Sequence, residues 1–163
     1  MSKLLVGQDA PEISFTDLNG EDFALSSLRG TPVVLNFLTS NCTWCRSQMS
    51  HLTDVYERKH NVDVQILGIF VGQDATVAQQ FAGEQNLDIR IVTDEAGESQ
   101  SAFQLERVPT FIFLDSEGKI VCVYEGATEQ LAGIIEQTIL AVAGHQELPE
   151  YSLVGNGCSV NGQ

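Results

Sequence analysis

Apolar positions along the chain fall into short near-continuous runs and into longer stretches where they return every three or four residues, and the two kinds alternate. Residues 33–38 and 62–71 are runs of the first kind, as expected for strands buried on both faces of a sheet. Between them, residues 44–60 place Cys45, Met49, Leu52 and Tyr56 on one face of a predicted helix. A second helix is predicted over residues 76–85, after Gly72-Gln73-Asp74, with Val77, Ala78, Phe81 and Ala82 turned inward. Residues 89–92 add a short strand. This alternation of strand and helix implies a parallel sheet with right-handed crossovers.

Outside this unit the pattern is antiparallel. Residues 13–17 and 21–25 flank Asn19-Gly20, a dipeptide suited to a tight turn, and predict an N-terminal ribbon over about residues 13–25. Ser26-Ser27-Leu28-Arg29-Gly30 reads as a capped helical turn closed by glycine. After a weak helical turn at 98–103, residues 110–114 and 119–125 are joined by Asp115-Ser116-Glu117-Gly118 as a hairpin. A last helix from 128 to about 143 sets Leu131, Ile134, Ile135, Thr138, Ile139 and Val142 on one face, which should cover the sheet. The expected fold class is α/β: a central mixed sheet flanked by helices, made of a parallel βαβ unit and a C-terminal antiparallel hairpin, in one domain of residues 1–143. Residues 144–163 are rich in Gly, Asn and Ser, contain Pro149 and read as a loose tail, with Tyr151, Leu153 and Val154 able to anchor it.

Composition changes this picture little. At 163 residues, 43% hydrophobic and 18% charged, the chain can bury one core without disulfide staples. Charge decides more: 8 Lys+Arg against 22 Asp+Glu give a net charge of −14, a field that repels nucleic acid and anionic membrane surfaces. No stretch approaches the ~18 apolar residues of a membrane span, and the first seven residues are too short for a signal-peptide apolar core. The expected compartment of the sequence as written is the cytoplasm; the alternative is an extracytoplasmic protein whose signal or anchor has been removed.

Cys42-Thr43-Trp44-Cys45 stands where the strand of residues 33–38 gives way to the helix. Two cysteines three apart on a first helical turn share a face and can close a disulfide ring. The first then lies at the helix mouth, where unpaired N–H groups and about half a positive elementary charge favour a thiolate. Thiols so placed have pKa values lowered from about 8.5 to roughly 3.5–7.5. Cys42 is expected to be exposed and attacking, and Cys45 shielded and resolving. The same spacing is half of a zinc site, but Cys122 and Cys158 stand alone and His51, His60 and His145 lack ligand spacing, so no metal is assigned. Cys122 alternates with Ile120 and Tyr124 and is expected as a packed small hydrophobe. Cys158, a lone thiol without a basic neighbour, is expected to be a bystander, the alternative being a third redox cysteine carried on the tail.

Over about residues 7–142 the chain resembles the thioredoxin-fold thiol–disulfide oxidoreductases of the TlpA/ResA-like branch. The resemblance is carried by Gly7-Gln8-Asp9-Ala10-Pro11, by the segment 28–37, by Cys42-Thr43-Trp44-Cys45-Arg46, by Val108-Pro109-Thr110-Phe111-Ile112-Phe113-Leu114-Asp115 and by Gly118-Lys119-Ile120-Val121. It implies a thioredoxin-like fold, a cis Pro109 facing the cysteine pair, and a Val108 backbone offered to an extended substrate, with Arg107 on the rim. Thr43 and Trp44 would touch substrate, although Trp44 is equally readable as a surface residue that merely starts the helix. The chain departs from the family at two supporting positions, where Asn36 and Gln48 stand in place of acids.

The expected function is disulfide exchange with a protein, as a reductant: Cys42 attacks, a mixed disulfide forms and Cys45 releases the product. No cofactor is called for. The expected partners are a protein disulfide or dithiol substrate and an upstream thiol electron donor, and the expected state is a monomer. Thr39-Ser40-Asn41-Cys42 also matches the Thr-x-x-Cys part of the peroxiredoxin motif, so a thiol peroxidase with Cys42 as its peroxidatic cysteine is the alternative, although Leu35 stands where that motif has proline. A non-catalytic module holding metal through Cys42 and Cys45 is a third reading.

Overall fold

The computed structural model describes residues 6–58, 62–144, 147–148 and 157–159. Its centre is β3 (Val33–Leu38), in which all six residues are buried, as a strand covered on both faces requires. It pairs in parallel with β4 (Gln65–Val71), which pairs in parallel with β5 (Arg90–Asp94). The crossovers are α1 (Thr43–Arg58) and α2 (Ala75–Gln85). Asp74 caps α2, its side chain accepting from the Val77 N–H at 3.0 Å, and Asn86 closes it in the left-handed region at φ 53°.

The N-terminal ribbon is β1 (Ser14–Asp17) and β2 (Asp22–Ala24), and β1 continues the sheet by pairing antiparallel with β5. On the other side of β3 lies the hairpin of β7 (Thr110–Leu114) and β8 (Ile120–Glu125). The order across the seven-stranded mixed sheet is β2-β1-β5-β4-β3-β7-β8. A short α3 (Glu98–Ala102) follows β5, and α4 (Leu131–Ala143) packs against α1, tied to it by Arg58 Nε donating to Glu136 Oε2 at 2.6 Å.

Four details differ from the sequence pattern. The helical turn at Leu25–Leu28 has Ala24 rather than serine at its N-cap, and Ser27 Oγ instead donates to the Ala24 carbonyl at 2.6 Å. The first helix starts one residue early, at Thr43, because Cys42 takes the capping position; residues 59 and 60 lie outside the described residues. A bulge between Phe113 and Leu114 pairs Ile120 with Leu114 but Cys122 with Phe113, so Ile120 leaves the face that Cys122 shares with Tyr124.

The fourth concerns the tail. Cys158–Ser159 forms a strand, β9, paired antiparallel with β6 (Arg107–Val108), the two residues before Pro109. Composition read this segment as loose because it cannot register backbone pairing to a distant strand. Tyr151, Leu153 and Val154 lie outside the described residues.

Candidate active site

β3 ends at Leu38, and the chain turns through Thr39-Ser40-Asn41 before entering α1. The Arg46 N–H donates to the Cys42 carbonyl at 3.1 Å, the first hydrogen bond of the helix, so Cys42 is its N-cap residue. In that place a side chain can satisfy an orphan amide of the first turn. Here the side chain is sulfur: the Cys45 N–H donates to Cys42 Sγ at 3.1 Å.

The electrostatics of the pair follow. Cys42 is pulled down from 9.0 to about 6, first by the hydrogen bond from the Cys45 thiol, then by the Cys158 thiol and the backbone N–H groups of Cys45 and Cys158, with burial opposing. Cys45 is pushed the other way, well above the ordinary thiol value, chiefly by burial and then by its bond to the neighbouring sulfur. The two thiols are thereby split into an anion-holding site and a proton-holding site.

The exposure expected of Cys42 is not found. Cys42 is 0% exposed and Cys45 1%. The Val108 carbonyl lies 3.5 Å from Cys42 Sγ, and Cys158 on the tail strand is near enough to act on the same thiol. Helix position alone predicted an open thiol; two segments distant in sequence cover it.

Three further residues hold the loop that presents Cys42. Gln73 grips Ser40 from the β4–α2 turn, accepting from its N–H at 2.8 Å and donating to its Oγ at 2.9 Å. Arg46 Nε donates to the Ser40 carbonyl at 2.7 Å while its guanidinium sits 4.9 Å above the Phe81 ring. Sequence reading missed Gln73, because its contact arises only where parallel β3 and β4 end side by side.

A sequence model of the redoxin family matches residues 5–137. The chain belongs to this family. Within it, the thiol-disulfide oxidoreductase ResA of Geobacillus kaustophilus is 31% identical over 121 residues, 74% of this chain and 70% of that one. This redoxin is a ResA-like thiol–disulfide oxidoreductase with a thioredoxin-like fold. An uncharacterized conserved protein of Geobacillus kaustophilus, 18% identical, superimposes with a TM-score of 0.84 over 95% of this chain and 90% of its own. A secreted disulfide oxidoreductase of Mycobacterium tuberculosis, described as homologous to E. coli DsbE, is 26% identical with a TM-score of 0.64 over 74% of this chain and 92% of its own.

In this redoxin domain the remaining predicted residues divide into near and far. Val108 and Pro109 are buried beside the cysteines, with the Val108–Pro109 peptide cis. Thr43 and Trp44 are exposed on the first turn of α1. Asn36 is buried on β3, where its Nδ2 donates to Tyr56 Oη at 2.9 Å, and burial pushes the Tyr56 phenol well up. Among the described residues no hydrogen bond joins Asn36 to either cysteine, and none is made by the side chain of Gln48, half-buried on α1. Cys122 is half-buried on β8, and burial raises its thiol.

Proposed function

We propose that Cys42 is the exchanging nucleophile and Cys45 the resolving thiol of a reductase acting on protein disulfides. The observation that carries this is the split between the two sulfurs: Cys42 near 6 and Cys45 well above 9.0. A thiolate at Cys42 attacks one sulfur of a substrate disulfide, forming a Cys42–substrate bond and expelling the second substrate thiol. Cys45 then surrenders its proton and attacks Cys42, which releases the reduced substrate and leaves a Cys42–Cys45 disulfide. Both electrons come from the cysteine pair, so an upstream thiol donor must restore it.

The reducing direction is favoured by the size of the shift. Thioredoxin, a reductant, holds its attacking thiol near 7, while the strong oxidant DsbA holds its own near 3.5, because stabilising the thiolate stabilises the reduced form. A value of about 6 stands nearer the first. Val108 offers backbone to an extended substrate, Thr43 and Trp44 present exposed side chains to it from the first turn of α1, and Asn36 and Gln48 replace carboxylate proton carriers with neutral amides, leaving proton transfer to water. The extracytoplasmic alternative is favoured by the secreted relative. The test is reduction of a protein disulfide with dithiothreitol as donor: Cys42→Ser should abolish it, and Cys45→Ala should stall as a mixed disulfide with substrate. A Cys42→Ser variant with wild-type turnover refutes the assignment.

A further inference from the structure

The β6–β9 pairing brings a third sulfur to the cysteine pair. Arg107 pairs with Ser159 and Val108 with Cys158, so residues 158–159 run antiparallel along the backbone edge that precedes Pro109. Val108, the residue that pairs with Cys158, holds its carbonyl 3.5 Å from Cys42 Sγ, and Cys158 is near enough that its thiol and N–H help to lower the Cys42 thiol. The approach is so close that the residue before Cys158 has room for no side chain: a Cβ on Gly157 would stand 2.7 Å from the Val108 carbonyl oxygen and 3.4 Å from the Arg107 side chain. Cys158 is itself half-buried and packed against the hydrophobic core.

We propose that Cys158 is a third redox-active cysteine, which β9 delivers to Cys42 as an intramolecular disulfide partner while residues 157–159 occupy the groove of an extended substrate. The proposal rests on the assignment of Cys42 as the exchanging sulfur. The Cys158 thiolate attacks Cys42 when Cys42 is bonded to another thiol, either Cys45 or a small external thiol. The Cys42–Cys158 bond forms, the earlier Cys42 disulfide breaks, and the departing thiolate takes up the proton that Cys158 gave up. One disulfide replaces another, and no further oxidant is consumed. A protein substrate must displace β9 to reach Val108, so the tail competes with substrate for the same backbone edge.

The experiment uses the full chain carrying Cys45→Ser, treated with glutathione disulfide held about tenfold below the millimolar effective concentration typical of a short tether. Disulfides are then mapped by digestion and mass spectrometry without reductant. The expected product is a Cys42–Cys158 bridge with glutathione released. A stable Cys42–glutathione adduct beside a free, alkylatable Cys158 overturns the proposal while leaving Cys42 as the exchanging sulfur. No adduct and no bridge at Cys42 overturns the assignment of the site itself, and the proposal with it. Gly157→Ala added to the Cys45→Ser chain should lower the Cys42–Cys158 bridge about tenfold relative to Cys45→Ser alone under the same mapping and should speed alkylation of reduced Cys42. An unchanged bridge and unchanged alkylation in Gly157→Ala would refute delivery by β9.

Discussion

Gln73 and Ser40 exchange two hydrogen bonds across the end of the parallel pair, 2.8 Å from the Ser40 N–H and 2.9 Å to its Oγ. Ser40 lies two residues before Cys42, so this clasp fixes the direction from which the chain enters the helix N-cap. Gln73→Ala removes both bonds, at about 0.5–1.5 kcal/mol each. Because catalytic geometry is more sensitive than stability to small displacements, disulfide exchange is expected to slow about tenfold or more. Turnover measured beside a thermal melt checks this; a melt shift with unchanged turnover would make Gln73 purely structural.

The thiolate of Cys42 sets a pH dependence with a definite sign. With its pKa lowered from 9.0 to about 6, the folded reduced protein carries a thiolate between those values where the unfolded chain carries a thiol. The folded state therefore binds fewer protons, and this group adds stability as pH rises from about 6 towards 9 and loses it as pH falls through about 6. Cys45, held above 9.0, opposes this only at higher pH. Thiolate ultraviolet absorbance, with Cys42→Ser as the blank, should show a midpoint near 6. Cys45→Ala, which removes the thiol that contributes most, should move that midpoint up; a wild-type midpoint near 9 contradicts the electrostatic account.

Restoring an acid one helical turn beyond Cys45 tests the proton path. An ionised Glu at position 48 adds like-charge repulsion that the neutral amide lacks, so Gln48→Glu should raise the Cys42 midpoint by up to about one unit, each unit being about 1.4 kcal/mol. A second titrating group should then enter the pH–rate profile. Superimposable titrations of the two proteins would show that position 48 is uncoupled from the sulfur.

Trp44 is 37% exposed on the turn that carries both cysteines. As a surface residue its truncation should change stability by no more than about 0.5 kcal/mol. As a contact for protein substrate it should matter to KM: Trp44→Ala is expected to raise KM several-fold for a protein disulfide while leaving a small disulfide unaffected. Equal KM values for the protein substrate would return Trp44 to the role of a helix-start residue.

The order of elements and the cysteine pair were legible in the sequence because both are local. A near-continuous apolar run announces β3, and a four-residue motif at a strand–helix junction announces a thiol at a helix mouth. Tertiary structure decided what surrounds that thiol. Gln73 meets Ser40 where β3 and β4 end side by side, Asn36 turns to Tyr56 rather than to a cysteine, and Cys158 is brought towards Cys42 through the pairing of β9 with β6. The exposure of Cys42 was misjudged for the same reason. Helix position sets the local charge at the sulfur, whereas burial depends on Val108 and Cys158, which lie 66 and 116 residues away along the chain (108 − 42 and 158 − 42) and which no periodicity within a single element can register.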